Sequence, residues 1–375
     1  MIGLYIHIPF CNQICPYCDF YKMVVSEQLQ TKYINAVIKE MQLKKLECVS
    51  FDTIYIGGGT PSCLSFDNLE LLFNQLNKSF DLSKIKEITF ECNPSDINEL
   101  LLSFLKKYHV SRLSIGVQTL NPKFQSLIKR FTTIDELSQI VYLLNKYGFD
   151  NYNFDLMYGF YQEKIADIKE DIDLLVKFNP KHLSIYSLMI EEKTYFKKLV
   201  DENVKLEATD DEQAEMYQFI IKYLDSYGFK QYETSNFAKA GFCSLHNLIY
   251  WDHDQYYSLG AGASSFIDKK RYLMTRKIYD YISGIDSGKL LHEVEVLSPE
   301  EEIDEYIMMN LRKTSGLNLT DFKHRYGVDI FSYYPNIKRL IYEENLLELI
   351  DNQIIIKKAY FYVANQIIVK IIASR

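Results

Sequence analysis

The regular alternation of short β-like runs with helical segments constrains the fold of this chain more than any other feature of its sequence. Apolar runs of strand length recur at residues 3–8, 53–56, 87–92, 112–118, 152–157 and 182–188. Between them lie segments with apolar residues at helical spacing, such as Ile34, Val37, Ile38 and Met41. Because strand–helix–strand crossovers join parallel strands, the repeat predicts an α/β fold built on a parallel sheet.

Polar and glycine residues follow nearly every predicted strand at its carboxyl end. They are a cysteine-rich loop after residue 10, Gly57-Gly58-Gly59-Thr60, Glu91, Gln118 and Asp155. In a TIM-like barrel the carboxyl ends of the strands meet on one rim, where binding sites form. Since the sequence offers six such strands and a full barrel needs eight, we predict a partial TIM-like (βα)6 barrel with an open side.

The repeat fades after about residue 208, which predicts three parts to the chain. Residues 1–208 form the partial barrel, residues 209–297 extend it, and residues 298–375 form a small C-terminal domain. The extension begins with a helix over 210–227 and continues as a glycine-rich loop region to about residue 266. In the last part, helices over 300–313, 319–326, 336–345 and 360–372 and a hairpin at 351–352 predict a winged-helix-like α+β domain. We expect this domain to pack against the barrel or dock a partner.

The charge balance and the apolar runs exclude two further classes of protein. The chain has 42 Lys and Arg against 50 Asp and Glu, a formal net charge of −8, which argues against a nucleic-acid-binding protein. No apolar run approaches the ~20 residues of a membrane helix, and the first residues lack the features of a secretory signal. We therefore expect a cytoplasmic protein without a transmembrane segment, for which peripheral contact with a membrane stays open.

Three of the seven cysteines lie within eight residues of each other. Cys11, Cys15 and Cys18 follow the first predicted strand, and their spacing gathers three thiolates in one loop. Such a set can hold three irons of a 4Fe-4S cluster and leave the fourth iron open to another ligand. The scattered cysteines are predicted to be small buried apolar residues; they are Cys48, Cys63, Cys92 and Cys243.

Two other chemistries compete for the same loop. Zinc would need a fourth ligand, which Asp19 or His7 could supply. Cys15 and Cys18 alone form a Cys-Pro-Tyr-Cys pair, which is typical of a dithiol oxidoreductase. Neither alternative accounts for Cys11 together with the glycine triplet, so the cluster is favoured while both alternatives stay open.

The motifs occur in an order that resembles the radical S-adenosylmethionine (SAM) superfamily. The matching stretches are Tyr5 to Cys18, Gly57-Gly58-Gly59-Thr60-Pro61, Glu91-Cys92-Asn93-Pro94, residues 114–118, residues 155–159 and His246-Asn247-Leu248-Ile249-Tyr250-Trp251. Within the superfamily the chain is similar to the branch of oxygen-independent coproporphyrinogen III dehydrogenases and HemW-like heme chaperones. The resemblance covers most of the chain and implies a barrel of the radical SAM type.

The resemblance also implies a SAM site on the rim. In the superfamily the amino and carboxylate groups of SAM bind the open iron, and electron transfer can release an adenosyl radical. Positions beside the cluster or SAM are matched by Tyr5, Tyr17, Gly57, Gly58, Gly59, Thr60, Glu91, Gln118, Arg130 and Asp155. Taken singly, the glycines would indicate a tight turn and each carboxylate a helix cap or a solvated residue. No residue is assigned as catalytic.

Two departures favour the chaperone over the dehydrogenase. Dehydrogenases of the branch carry a further cysteine two residues after the third cluster cysteine, where this chain has Phe20, and they carry a long N-terminal extension. The chain also departs from the family at Phe160-Tyr161-Gln162, at Thr132 and at Ser264. These last departures concern loop geometry and tetrapyrrole contacts, and they leave the cluster unaffected.

His246 is the predicted heme ligand of the chaperone. The family associates the His-Asn-x-x-Tyr-Trp motif with heme, and an imidazole is a standard axial ligand of heme iron. Tyr250 and Trp251 offer flat apolar surface for a porphyrin. Cys243 is an alternative ligand, and a motif that only packs the end of the barrel is the structural alternative.

The resemblance therefore implies a heme chaperone that binds a 4Fe-4S cluster, SAM and heme and transfers heme to an acceptor protein. An electron donor is expected if radical chemistry occurs. The first alternative is an oxygen-independent coproporphyrinogen III oxidase or dehydrogenase of porphyrin biosynthesis. The second is a dithiol oxidoreductase that uses Cys15 and Cys18.

Overall fold

The predicted parallel sheet forms the centre of the molecule. The structure is a computed structural model that describes residues 1–374. Six parallel strands pair in the order in which they occur in the chain. They are β1 (Gly3–Ile8), β2 (Thr53–Gly58), β3 (Glu87–Cys92), β4 (Arg112–Gln118), β5 (Tyr152–Tyr158) and β6 (His182–Ser187). The six strands predicted from the sequence are confirmed, and their ends differ by at most two residues.

Helices follow the strands and cover the sheet, as the apolar spacing predicts. In residues 134–146, for example, Leu137, Ile140 and Leu144 are buried on one face, and Thr133 and Glu136 form a capping box at the first turn. The helices of this part are α1 (Glu27–Leu43), α2 (Phe66–Ser79), α3 (Glu99–Lys107), α4 (Pro122–Ile128), α5 (Ile134–Lys146), α6 (Ile165–Val176), α7 (Tyr195–Asp201) and α8 (Asp210–Ser226).

The sheet continues on both sides of the six strands, through the loop region predicted up to about residue 266 and through the residues that follow it. The added elements are β7 (Lys230–Gln231), β8 (Asn236–Ala238), α9 (Leu245–Trp251), β9 (Tyr256–Leu259), β10 (Ser264–Ile267), β11 (Lys270–Met274), α10 (Ile278–Asp286) and β12 (His292–Val296). Strands β9 to β12 extend the sheet from β1, and β8 and β7 extend it from β6. The loop prediction was wrong because strands of two to five residues are too short to show a period. Over residues 1–374 the two edge strands, β7 and β12, do not pair, so the barrel stays open.

The C-terminal part combines helices with a small antiparallel sheet. Its elements are α11 (Pro299–Asn310), β13 (Leu317–Asn318), α12 (Leu319–Tyr326), α13 (Ile330–Tyr333), α14 (Asn336–Tyr342), β14 (Leu347–Ile350), β15 (Gln353–Ile356) and α15 (Ala364–Ile372). The predicted hairpin turns at Asp351 and Asn352, whose φ angles are 46° and 68°. The short helix α13 and strand β13 were not predicted. Ile303 and Ile307 of α11 belong to the same apolar cluster as the sheet, so this part packs on the barrel. The three domain boundaries stay a prediction.

No helix within residues 1–374 combines the length and the apolar character that crossing a membrane requires.

Candidate cofactor site

The carboxyl ends of the parallel strands surround a cavity of 330 Å³. A cavity of this size suits a small-molecule ligand. The predicted site residues on its wall are Cys11, Cys15, Tyr17, Cys18, Gly58, Gly59, Thr60, Glu91, Gln118, Arg130 and Asp155. Two predicted residues stand behind the wall. Tyr5 places its hydroxyl 2.9 Å from Nδ1 of His7, and a Cβ at Gly57 would lie 2.7 Å from the Glu91 carboxyl, so glycine leaves room for that side chain.

The loop after β1 presents three thiols to one side of the cavity. The backbone N–H of Cys18 donates to the Cys15 carbonyl at 3.3 Å, and the Thr60 hydroxyl lies 3.6 Å from Sγ of Cys11. All three cysteines line the same cavity, and a 4Fe-4S cluster with one open iron would take each of their thiolates on a different iron.

The two side chains that could complete a zinc site are unsuitable in this structure. His7 is buried, with Nε2 3.0 Å from the Tyr21 carbonyl oxygen in addition to its contact with Tyr5. Burial lowers the pKa of His7 to about 4, and both ring nitrogens are already hydrogen-bonded. Asp19 is exposed and does not line the cavity. The zinc alternative is therefore not supported by the geometry.

The scattered cysteines differ from the sequence-based expectation. Cys92 is buried, as predicted, but Cys48 is exposed and Cys63 and Cys243 are half-buried. For Cys48 the prediction was wrong, because this residue ends a short 3-10 turn at the surface.

The glycine turn after β2 packs directly on the cysteine loop. Gly58 has φ +115°, a conformation that residues with a Cβ rarely adopt. The Gly59 N–H donates to the Ile8 carbonyl at 2.8 Å, and the Thr60 N–H donates to the Phe10 carbonyl at 2.7 Å. These two bonds fix the distance between the turn and the loop that carries the thiols.

Two half-buried carboxyl groups face the cavity from β3 and β5, the strands on either side of β4. Glu91 accepts hydrogen bonds from the Tyr55 hydroxyl at 2.6 Å and from the Gly58 N–H at 3.0 Å. Asp155 accepts from the Asn153 amide at 2.6 Å and from the Ser114 hydroxyl at 3.3 Å. Burial raises the pKa of Glu91 to about 7 and the pKa of Asp155 to about 6. Both groups would gain from a ligand that carries hydroxyl groups or positive charge.

Arg130 and Gln118 complete the wall at the end of β4. Arg130 donates through Nη2 to the Asn93 side chain and to the Gly116 carbonyl, the latter at 3.3 Å. Gln118 has φ +72°, which turns the chain sharply at the rim. The site therefore offers one guanidinium and two carboxyl groups around a single cavity.

Several cavity residues escaped the sequence reasoning, although the sequence holds a signal for them. They occupy alternate positions of the strands, and they include Tyr55, Arg112, Ser114, Asn153, His182, Ser184 and Tyr186. Because side chains of a strand alternate between its two faces, polar residues at every second position of an otherwise apolar strand indicate the lining of a barrel. The strand ends were used in the prediction, but this alternation was not.

His246 lies at the opposite end of the barrel from the cysteine loop, beside the first residues of the strands. Its Nδ1 is 2.7 Å from the Thr53 hydroxyl and its Nε2 is 2.8 Å from the Tyr250 hydroxyl, while its backbone N–H donates to the Glu87 carboxylate at 3.1 Å. The side chain is fully buried, which lowers its pKa to about 3. In this conformation no ring nitrogen is free for heme iron, so the structure favours the alternative that the motif packs the end of the barrel. Ligation by His246 stays a prediction that requires the ring to leave both hydroxyl groups.

We expect His246→Ala to lower the free energy of unfolding by about 2–4 kcal/mol, since it leaves a cavity and two buried hydroxyl groups without a partner. Urea unfolding of the purified protein measures this difference. His324→Ala, at an exposed position, is the matched control and should change little. Equal stability of the two variants would show that His246 does not hold the barrel end together.

Comparison with known proteins agrees with the resemblance to the radical SAM superfamily. Residues 5–175 match the family model of the radical SAM superfamily, and residues 297–358 match the HemN C-terminal domain. The heme chaperone HemW of Lactococcus lactis is 35% identical over 94% of this chain and 90% of its own length. HemW of Bacillus subtilis is 34% identical, over 92% of this chain and 93% of its own length.

A solved structure shares the fold over the whole chain. Coproporphyrinogen III oxidase (HemN) from Escherichia coli, a radical SAM enzyme, superposes with a TM-score of 0.83 at 19% identity and covers 100% of this chain and 89% of its own. The predicted fold class is thus confirmed. By its sequence, this chain belongs to the HemW family of the radical SAM superfamily.

Proposed function

We propose that this chain is a heme chaperone that binds a 4Fe-4S cluster, SAM and heme and passes heme to an acceptor protein in the cytoplasm. The observation that carries the proposal is the meeting of Cys11, Cys15 and Cys18 with two carboxyl groups and Arg130 on one cavity. The HemW relatives extend over nearly the full chain, which supports the heme-binding part.

Different side chains of the cavity would hold the 4Fe-4S cluster and SAM. The three cysteines would hold three irons, and the bound cluster would supply an open iron site for SAM together with a path for one electron. Gly58 and Gly59 line the cavity without side chains, so a ligand could approach their backbone there. Glu91 and Asp155 offer acceptors for ammonium and ribose hydroxyl groups, and Arg130 offers a cation for a carboxylate.

Anaerobic purification with a reconstituted cluster, followed by titration with hemin, tests the proposal. We expect a saturable change in the heme absorption spectrum, and transfer of the bound heme to apomyoglobin. Hemin that stays unbound by the cluster-loaded protein would contradict the proposal. In the same samples, His246→Ala decides the ligand: an unchanged heme spectrum would exclude His246.

The alternative function, oxidation of coproporphyrinogen III, has one structural argument against it. At the position of the further cysteine of the dehydrogenases, this chain has Phe20, which lines the mouth of the cavity and is exposed. Incubation with coproporphyrinogen III, SAM and a reductant separates the two functions. Formation of protoporphyrinogen IX would establish the enzyme and contradict a function limited to heme transfer.

The raised pKa of Glu91 predicts a pH dependence of SAM binding. Without ligand this carboxyl is half protonated near pH 7, whereas a ligand with net positive charge favours the ionised form. Affinity should therefore rise with pH and be roughly tenfold higher at pH 8 than at pH 6. The free energy of unfolding of the ligand-free protein should change with pH in the opposite direction. The contribution of Glu91 to stability is fully present below its unfolded pKa and is lost as pH rises through 7, because the folded protein then holds a buried carboxylate.

Isothermal titration of SAM at several pH values measures this dependence. Glu91→Gln cannot ionise and should flatten the pH profile, leaving a smaller slope from Asp155, whose pKa is about 6. A profile that stays equally steep in Glu91→Gln would assign the titration to another group.

A further inference from the structure

A series of hydrogen bonds crosses the barrel from the cofactor cavity to helix α9. We call it the relay, and its members are, in order, Asp155, Asn153, His182, Tyr232 and Ser244. The side chains of Asn153, His182 and Ser244 are shielded from water, because these residues are at most 2% exposed. Ser244 is the N-cap residue of α9. The relay therefore joins the proposed SAM site to the helix that carries the His-Asn-x-x-Tyr-Trp motif.

All distances in the relay are those of hydrogen bonds. The Asn153 amide donates to Oδ1 of Asp155 at 2.6 Å, and its oxygen lies 2.7 Å from Nδ1 of His182. Nε2 of His182 lies 2.8 Å from the Tyr232 hydroxyl, which accepts from the Ser244 backbone N–H at 3.3 Å. Asn153 and His182 are direct partners in the register of β5 and β6. The pairing of these two strands therefore fixes the middle of the relay.

The chemistry of the relay determines the direction of each hydrogen bond. The ionised Asp155 carboxylate can only accept, so the Asn153 amide nitrogen faces it and the amide oxygen faces His182. Nδ1 of His182 must then carry the hydrogen. Burial and the nearby Arg112 guanidinium lower the pKa of His182 well below its usual value, so the ring is neutral and Nε2 accepts from Tyr232. Every donor thus points toward Asp155, an arrangement in which successive hydrogen bonds strengthen one another.

The far end of the relay holds the first turn of α9. Besides its bond to Tyr232, Ser244 caps this turn by accepting from the Asn247 N–H at 3.4 Å. Glu87 is a second holder, because it accepts from the backbone N–H of His246 at 3.1 Å. The ring of His246 must leave two hydroxyl groups before it can bind iron. A looser first turn lowers the free-energy cost of that movement.

We propose that the relay couples the two binding sites, so that α9 loosens when SAM is bound at Asp155 and heme then binds more tightly at the motif. This inference rests on the proposed function and deepens it. Ribose hydroxyl groups that donate to Asp155 compete with Asn153 for the same carboxylate. Because the bonds of the relay strengthen one another, a weaker first bond weakens the hold of Tyr232 on Ser244. Tyr232 does not line the cavity, so it is a positioning residue.

Direct contact between SAM and α9 is the other way in which the two sites could be coupled. Ser244 and Asn247 line the cavity together with Cys15, so this space extends from the cysteine loop to the first turn of α9. The two routes differ at one atom, because the relay needs the hydroxyl of Tyr232 and a direct contact does not. The variant Tyr232→Phe therefore distinguishes them.

The test measures hemin affinity with and without SAM, in protein that is loaded with the cluster anaerobically and kept free of reductant. Wild type should bind hemin about fivefold more tightly in saturating SAM, and hemin should strengthen SAM binding by the same factor. Tyr232→Phe lacks only the hydroxyl that holds Ser244. Without SAM it should bind hemin as tightly as SAM-loaded wild type, and SAM should add nothing. General damage to the fold would weaken hemin binding instead.

Tyr217→Phe is the matched control. Its hydroxyl donates to the Thr234 carbonyl at 2.8 Å and accepts from the Gln231 side chain at 2.6 Å, outside the relay but in the same region of the chain. The control should lose about as much stability as Tyr232→Phe in urea unfolding and keep the fivefold effect of SAM. Loss of the effect in both variants would assign it to general softening of this region and overturn the inference.

The only tryptophan of the sequence reports on α9 without any substitution. Trp251 is the last residue of this helix. Acrylamide should quench its fluorescence more strongly once SAM is bound to cluster-loaded wild type, before hemin is added. Unchanged quenching, in samples whose SAM binding is verified by titration, would contradict the loosening of α9.

The remaining outcomes separate the relay from the proposed function. If wild type binds no hemin, the proposed function fails. If wild type binds hemin with equal affinity with and without SAM, only the coupling is wrong. If Tyr232→Phe keeps the fivefold gain from SAM, the relay is not the route of the coupling, and direct contact with α9 takes its place.

Discussion

Cys15→Ala is expected to abolish binding of the iron–sulfur cluster, with bound iron and sulfide near zero after anaerobic reconstitution. The loop after β1 supplies three thiols to the cavity wall, and a 4Fe-4S cluster with one open iron needs all of them. Cys63 is half-buried on the turn after β2 and does not line the cavity, so it is not placed to replace a thiol of the loop. Iron and sulfide analysis, together with the visible spectrum of the cluster, measures the loss.

Cys63→Ala is the matched control, since it removes a thiol near Cys11 that belongs to no predicted ligand set. It should keep the full cluster. Loss of iron in Cys63→Ala together with retention of iron in Cys15→Ala would contradict the predicted ligand set, because the iron would then depend on Cys63 and not on Cys15. Redox activity that needs no bound iron and persists in Cys11→Ala would instead favour the dithiol oxidoreductase, which uses only Cys15 and Cys18.

The six parallel strands and the site residues at their carboxyl ends were predictable because their signals are local in the sequence. Each of the six parallel strands is an apolar run bounded by helical spacing, and its carboxyl end carries the residue that reaches the cavity. The fold then brings Glu91 and Asp155 to one wall without any information beyond strand order. For the same reason the position of the cysteine loop followed directly from its place after β1.

The barrel end at His246 was not predictable, because its contacts join residues far apart in the sequence. His246 meets Thr53 and Glu87 only after β2 and β3 have paired and α9 has folded against them. The motif itself is compatible with a heme ligand and with a buried hydrogen-bonded histidine. Only the three-dimensional arrangement distinguishes these roles, through the two hydroxyl groups that already contact the ring.

Gly59→Ala is expected to weaken SAM binding roughly a hundredfold and to destabilise the protein by about 2–4 kcal/mol. A Cβ at this position would lie 2.5 Å from the Phe10 carbonyl oxygen and 2.9 Å from the Ile8 carbonyl oxygen. Both neighbours are backbone atoms, so they cannot rotate away as a side chain could. The turn and the cysteine loop must separate, which breaks the bond from Gly59 to Ile8 and moves Cys11 relative to the cavity.

Gly228→Ala separates this steric effect from the general cost of replacing a glycine. Gly228 has φ +80°, so alanine is strained there, but the new methyl group would meet nothing within 4 Å. We expect a loss of stability of about 1 kcal/mol and normal SAM binding for Gly228→Ala. Urea unfolding and titration with SAM after reconstitution compare the two variants. If Gly59→Ala bound SAM as tightly as Gly228→Ala, the close approach of the two backbones would not set the geometry of the site. The cysteine loop would then have to be positioned by other contacts, such as the packing of its Tyr17 on Phe196.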